Sequence, residues 1–211
     1  MALAERLNNM TSSNSLVVPR IWPSAYAESY RHDLAIAQSS GQPPSSSIPV
    51  LSDAGSELVV AYAFNRPAAF ETLNYGHLRE LGLSLQALHE LALVNLTEFV
   101  RNRITAKQFA LVPPQTKPSD SGNVLLSHVE VGEDMEASCI LLPWLWQSLG
   151  ARVQGDLRLA VPTRGHLLFC GTSDPGILWF QTAASEIYAS ATAGAISARL
   201  FAVAGSQLVA A

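Results

Sequence analysis

Residues 156–170, DLRLAVPTRGHLLFC, constrain the fold more than any other segment. From Asp156 to Val161 apolar and polar residues alternate, with Leu157, Leu159 and Val161 on one face, which is the period of a half-buried strand. Pro162-Thr163-Arg164-Gly165 then supplies turn residues, and His166 to Cys170 returns as a second strand. Two strands joined by a tight turn form an antiparallel hairpin, because a parallel pair needs a crossover of a dozen or more residues. A purely doubly wound α/β fold is therefore excluded.

A second strand-to-strand step lies earlier. Glu57 to Phe64 reads as a strand whose Leu58, Val60 and Tyr62 alternate with Val59, Ala61 and Ala63, so both faces are expected to be covered. Asn65-Arg66-Pro67 turns it into Ala68 to Leu73. Helices are expected over residues 24–38 with Ser24 as N-cap and Ala25, Tyr26, Tyr30, Leu34 and Ile36 as the apolar face, and from Ser84 to Arg101. In the latter, Leu88, Leu91, Ala92 and Phe99 repeat with a period near 3.6. Further elements are a short strand at Gln108 to Val112, ended by Pro113-Pro114, and a strand at Asn123 to Val131. A helix from Asp134 to about Leu149, closed by Gly150, follows. Asp174-Pro175 begins a helix running to about Ser190, and Ala195 to Val203 is the last strand. The order predicts an α+β fold with an antiparallel or mixed sheet and helices mainly on one face.

The run SSGQPPSSSIP at residues 39–49 is a Ser/Pro/Gly linker with nothing to bury. Residues 1–50 are thus expected to form an N-terminal extension with a short helix, poorly ordered over 1–15, and residues 51–211 a single α+β domain. The chain has 211 residues, 48% of them hydrophobic, enough for a substantial core. Charged residues make up only 14%, against about 25% in an ordinary domain.

A formal net charge of −4 with scattered basic residues gives no nucleic-acid footprint, which needs clustered Lys and Arg. Arg101, Arg103 and Lys107 complement the dipole at a helix end. The first ten residues, MALAERLNNM, carry Glu5 and Arg6 and no apolar core. The apolar runs at 137–146 and 187–204 are too short, or too rich in Ala, Ser and Gly, to cross a bilayer. A cytoplasmic location is expected, so the sequons at Asn9 and Asn95 are not expected to be glycosylated. Cys139 and Cys170 lie in apolar segments and are expected to be buried, reduced thiols.

Few residues suggest chemistry, and each has a structural reading beside it. Asn95 lies among the apolar residues of its helix, aimed at a pocket or at a neighbouring backbone group. Glu130, Glu133, Asp134 and Glu136 could bind a divalent cation or serve acid/base work, but three of them stand at an expected helix N-terminus, where negative charge is stabilising. Arg164 at the hairpin tip can present a guanidinium to a carboxylate or phosphate. The five histidines show no metal-ligand spacing, and no motif calls for a cofactor or a metal. Neither cysteine has surroundings that lower a thiol pKa, and Ser127 and Ser138 lack the glycines of a nucleophile elbow. Trp144 and Trp146, two residues apart on a helix, point in different directions, so at least one is expected to be partly exposed or at an interface.

The runs LRELGLSLQALHELALVNL at 78–96, EASCILLPWLW at 136–146 and DLRLAVPTRGHLLF at 156–169 resemble the YtpQ-like bacterial family, a domain of unknown function. The resemblance spans roughly residues 51–181, with Asn95, Glu136, Ser138, Pro162 and Arg164 at matching positions. Pro143 and Gly165 depart from the family pattern. It implies a cytoplasmic bacterial protein and brings no catalytic residue.

These readings favour a non-catalytic protein that binds a protein partner or itself; an antidote-type protein that masks a toxin is one concrete form. The alternative is an enzyme whose site joins Asn95, Glu136 and Arg164, and a third is a structural domain exposing Trp144 or Trp146 in an apolar patch.

Overall fold

The computed structural model describes residues 16–66, 69–111, 124–205 and 207–211, and the expectations for residues 1–15, Pro67, Ala68, Val112, Pro113-Pro114 and Asn123 lie outside these. The fold is α+β with antiparallel open sheets. The chain divides into two compact units, one taking residues up to 54 and 59–99, the other residues 55–58 and 100–211. The expected boundary at residue 51 therefore falls inside the first unit.

In the first unit β1 (Leu16–Pro23), β2 (Leu51–Gly55) and β3 (Leu58–Arg66) form a sheet in the order β1-β3-β2, and β4 (Ala69–Thr72) pairs antiparallel with the far end of β3. Seven successive residues of β3, Leu58 to Phe64, are buried, as its unbroken apolar run predicts. The helices are α1 (Ser24–Ser40), α2 (Tyr75–Leu81) and α3 (Leu85–Arg101). Ser84 caps α3 as expected, its Oγ accepting from the Ala87 N–H at 3.1 Å. Leu88, Ala92, Leu96 and Val100, one turn apart, are the buried stripe, while Leu91 and Phe99 flank it half-buried.

Three expectations for this unit change. Ser24 is the first helical residue of α1 and not its cap; Pro23 holds the cap position without a side-chain bond. Ile36 faces solvent, and Ala37 is the buried residue of α1. The end of the supposed linker is tied down: Ile48 and Pro49 are buried, Tyr75 N–H donates to Ile48 O at 3.0 Å, and Gly76 N–H donates to Ser46 O at 3.1 Å. Its anchor is α2, which the sequence reading lacks. Asn74 and His77 start α2 with a reciprocal capping box, Asn74 Oδ1 accepting from His77 N at 3.0 Å.

The second unit is built on a six-stranded antiparallel sheet in the order β10-β9-β7-β8-β6-β5. Its strands are β5 (Thr105–Leu111), β6 (Val124–Glu130), β7 (Leu157–Ala160), β8 (Leu167–Gly171), β9 (Leu200–Ala204) and β10 (Gln207–Ala210). The β7–β8 hairpin forms as expected, Leu159 opposite Phe169. On one face Leu126, Ala160, Leu168 and Cys170 pack against Phe180, Ala183 and Ala184 of α5 (Ile177–Ser190). Val129, Leu159, Leu167 and Phe169 alternate with them and are buried too, so the centre of the sheet is covered on both faces.

The single helix expected from Asp134 to Leu149 is two pieces, a 3-10 turn at Ala137–Leu141 and α4 (Pro143–Gly150). Pro143 cannot donate within a helix, so it restarts one at its first turn instead. Asp134 lies in a left-handed loop, with φ of 91° at Gly132, 59° at Glu133 and 53° at Asp134. Asp174 does not cap α5; Gly176 holds that position, and the Asp174 carboxylate accepts from Gly171 N at 2.7 Å and Gln154 N at 2.9 Å. The expected last strand starts later, at Leu200, and β10 follows it antiparallel.

Candidate functional site

The hairpin tip gathers the second unit's polar groups. Thr163 and His166 close the turn, His166 N–H donating to Thr163 O at 3.2 Å while Thr163 Oγ1 and His166 Nδ1 lie 2.7 Å apart. Two backbone bonds hold the tip from opposite sides: Arg164 N–H donates to Gly194 O at 3.1 Å, and Ala137 N–H donates to Arg164 O at 3.1 Å. The guanidinium rests on Gly194, whose φ is 76°; a Cβ there would stand 2.8 Å from Arg164 Nε. At Gly165 a Cβ would stand 3.2 Å from Asp134 Oδ1, a close approach to the end of a side chain. An aspartate at 165 would place a second negative charge beside Asp134.

Through the Ala137–Arg164 bond, Glu136 and Arg164 come into one neighbourhood. Glu136 is buried, and its Oε1 accepts from Val131 N at 3.0 Å and Gly132 N at 2.6 Å, so the carboxylate holds the left-handed loop together. Burial and the nearby His128 push the His166 imidazole below its usual range, against an upward pull from Glu136 and Asp134. Among the described residues no three His, Cys, Asp or Glu side chains converge as metal ligands.

Asn95 belongs to the first unit, where its Nδ2 donates to the Val17 carbonyl at 2.8 Å, tying α3 to β1. It is the buried, backbone-satisfying amide of the two readings offered by the sequence. Trp146 is buried, and its indole N–H donates to Ile140 O at 3.0 Å. Trp144 is half-buried; its Nε1 is shielded from solvent and has no partner among the described residues. The two rings do diverge, but neither is an open apolar face.

The thiols are buried as expected. Burial drives Cys139 far above the ordinary thiol range, helped by the Glu136 charge, and burial with Asp174 pushes Cys170 up to about 11.

The first unit holds a group that linear spacing does not reveal. The Tyr62 hydroxyl lies 2.8 Å from Ser52 Oγ and 2.8 Å from His89 Nδ1, and burial raises its pKa so that it keeps its proton. These three residues border a cavity of about 430 Å³ with Asp53, Leu85 and Gln86. The only hint in the sequence is the tyrosine hydroxyl in a run that is otherwise apolar.

No family model, curated protein or solved structure matches the chain. No helix among the described residues is long and apolar enough to cross a membrane.

Proposed function

We propose that the protein is a non-catalytic cytoplasmic binding protein that engages a protein partner, or a second copy of itself, along the outer edge of β5. The observation that carries this is exposure. β5 ends the six-stranded sheet, pairs with β6 alone among the described residues, and exposes four residues in succession, Thr105 to Gln108. A seven-residue strand that pairs on one side alone among the described residues is a template for an added strand. A lysine on such a strand normally guards it, but Lys107 is drawn across the ladder into an ion pair with Glu130. That pair also holds the Glu130 carboxyl below its ordinary range.

The non-catalytic part rests on what the polar groups already do. Asn95, Glu136 and Trp146 each satisfy backbone groups, and both thiols are held protonated. An antidote that masks a toxin remains one form of this proposal, and membership of the YtpQ-like bacterial family belongs to it as well.

The test is a pull-down from the native host combined with light scattering on the purified chain. A stoichiometric partner, or a dimer in solution, supports the reading, provided that charging the edge with Ala106→Lys abolishes it. A monomer with no partner contradicts it.

A further inference from the structure

We propose that the cavity on the sheet face beside β5 binds a small organic carboxylate, with Arg152 taking the carboxylate and Phe169 the apolar body. The cavity measures about 320 Å³ and is lined by Ala106, Lys107, Gln108, Ser127, Arg152 and Phe169, at the lower end of the size range of small-molecule sites. Sheet register builds its floor. Gln108 is opposite Ser127, and Ser127 is opposite Phe169, so three strands place one amide, one hydroxyl and one aromatic ring in a single cross-strand row. Strand alternation adds Ala106 to this face and turns the Lys107 side chain to the other, where Glu130 holds it.

Arg152 completes the wall. It follows α4, its N–H donating to Leu149 O at 2.9 Å, and its guanidinium has no protein partner among the described residues. Ser127 and Gln108 likewise carry side chains without a protein partner among the described residues. A planar guanidinium fork matches a carboxylate bidentately, and a hydroxyl and an amide can each donate to its oxygens. Among the described residues no acidic side chain lines the cavity to oppose an anion. An aromatic floor offers little to an inorganic oxyanion but covers the body of an organic acid. Such a ligand meets the face of the sheet, where Ala106 and Gln108 of β5 line the cavity, whereas an added strand meets the backbone edge of β5.

Titrating the full chain with benzoate, benzamide and inorganic phosphate, read by amide shifts at Ser127, Arg152 and Phe169 in NMR spectra, tests this. Benzoate is expected to shift all three and benzamide none, with phosphate weaker than benzoate. Arg152→Gln should weaken benzoate about tenfold or more through loss of the charged hydrogen bonds. Arg152→Lys should not restore it fully. Arg152 is exposed, so both variants should melt like the parent. Absence of benzoate shifts, equal binding of benzamide, phosphate binding as tight as benzoate, or an unchanged affinity in Arg152→Gln would each overturn the assignment.

Discussion

The side-chain amide of Asn95 donates to the main-chain carbonyl of Val17 at 2.8 Å, joining residues 78 positions apart in the sequence. Both are buried, so the carbonyl has no water to turn to if the amide is removed. Asn95→Ala is expected to cost about 1–3 kcal/mol, the penalty of a buried acceptor left unpaired. Asn95→Asp should cost more, since it sets a carboxylate against a carbonyl. Urea unfolding midpoints check the order; equal midpoints for parent and Asn95→Ala would remove the role given to this bond.

Much of this architecture is legible in the sequence where the signal is local. The β7–β8 hairpin follows from an alternating run and a Pro-Thr-Arg-Gly turn, and the start of α3 from Ser84. β1 escapes because Pro19 and Pro23 demote a strand, and its partner β3 lies some forty residues on. Arg20, buried in β1 with its guanidinium 3.9 Å from the Phe70 ring, is legible only once that pairing exists. The acidic run before Ala137 reads as a helix start because negative charge belongs there. Three successive left-handed residues, held by the Glu136 carboxylate, make it a loop instead. Glu136 and Arg164 were therefore found as residue types, while the bond that brings them together was not.

That carboxylate leads to a second expectation. Glu136→Ala removes a charged acceptor from two backbone donors and should destabilise the chain by about 2–4 kcal/mol, with Glu136→Gln milder because one oxygen remains. Because Glu136 pulls the His166 pKa upward, both variants should also titrate His166 at lower pH than the parent. Histidine NMR titration reads this, and an upward or absent shift would contradict it.

The His166 environment also sets a pH dependence. Its folded pKa lies below the reference value of 6.5, so between the two values the unfolded chain binds more protons. Stability therefore rises with pH across that window, and it falls as the pH drops below 6.5. His166→Gln should flatten this part of the curve. Unfolding free energies measured from pH 5 to 8 would contradict the assignment if parent and variant showed the same slope.

Neither cysteine should react in the folded chain. With the Cys170 thiol at about 11 and Cys139 higher, the thiolate fraction at pH 8 is on the order of one in a thousand or less. A thiol reagent at that pH should find nothing in native buffer and both cysteines in denaturant. Rapid native labelling would show that one of them is accessible and activated.

The Tyr62 hydroxyl links Ser52 and His89, so Tyr62→Phe should cost about 1–2 kcal/mol. The same substitution should shift the His89 ring resonances, because Nδ1 loses its partner. An unchanged His89 spectrum would mean that the three groups are not joined.

The outer edge of β5 is the docking site proposed for another polypeptide. Light scattering on the material captured from the host, for the parent and for Ala106→Lys side by side, tests it most directly. The parent is expected to give a stoichiometric complex or a dimer, and the variant the free monomer at unchanged thermal stability. A complex that survives Ala106→Lys, or a parent that stays monomeric and captures nothing, would contradict it.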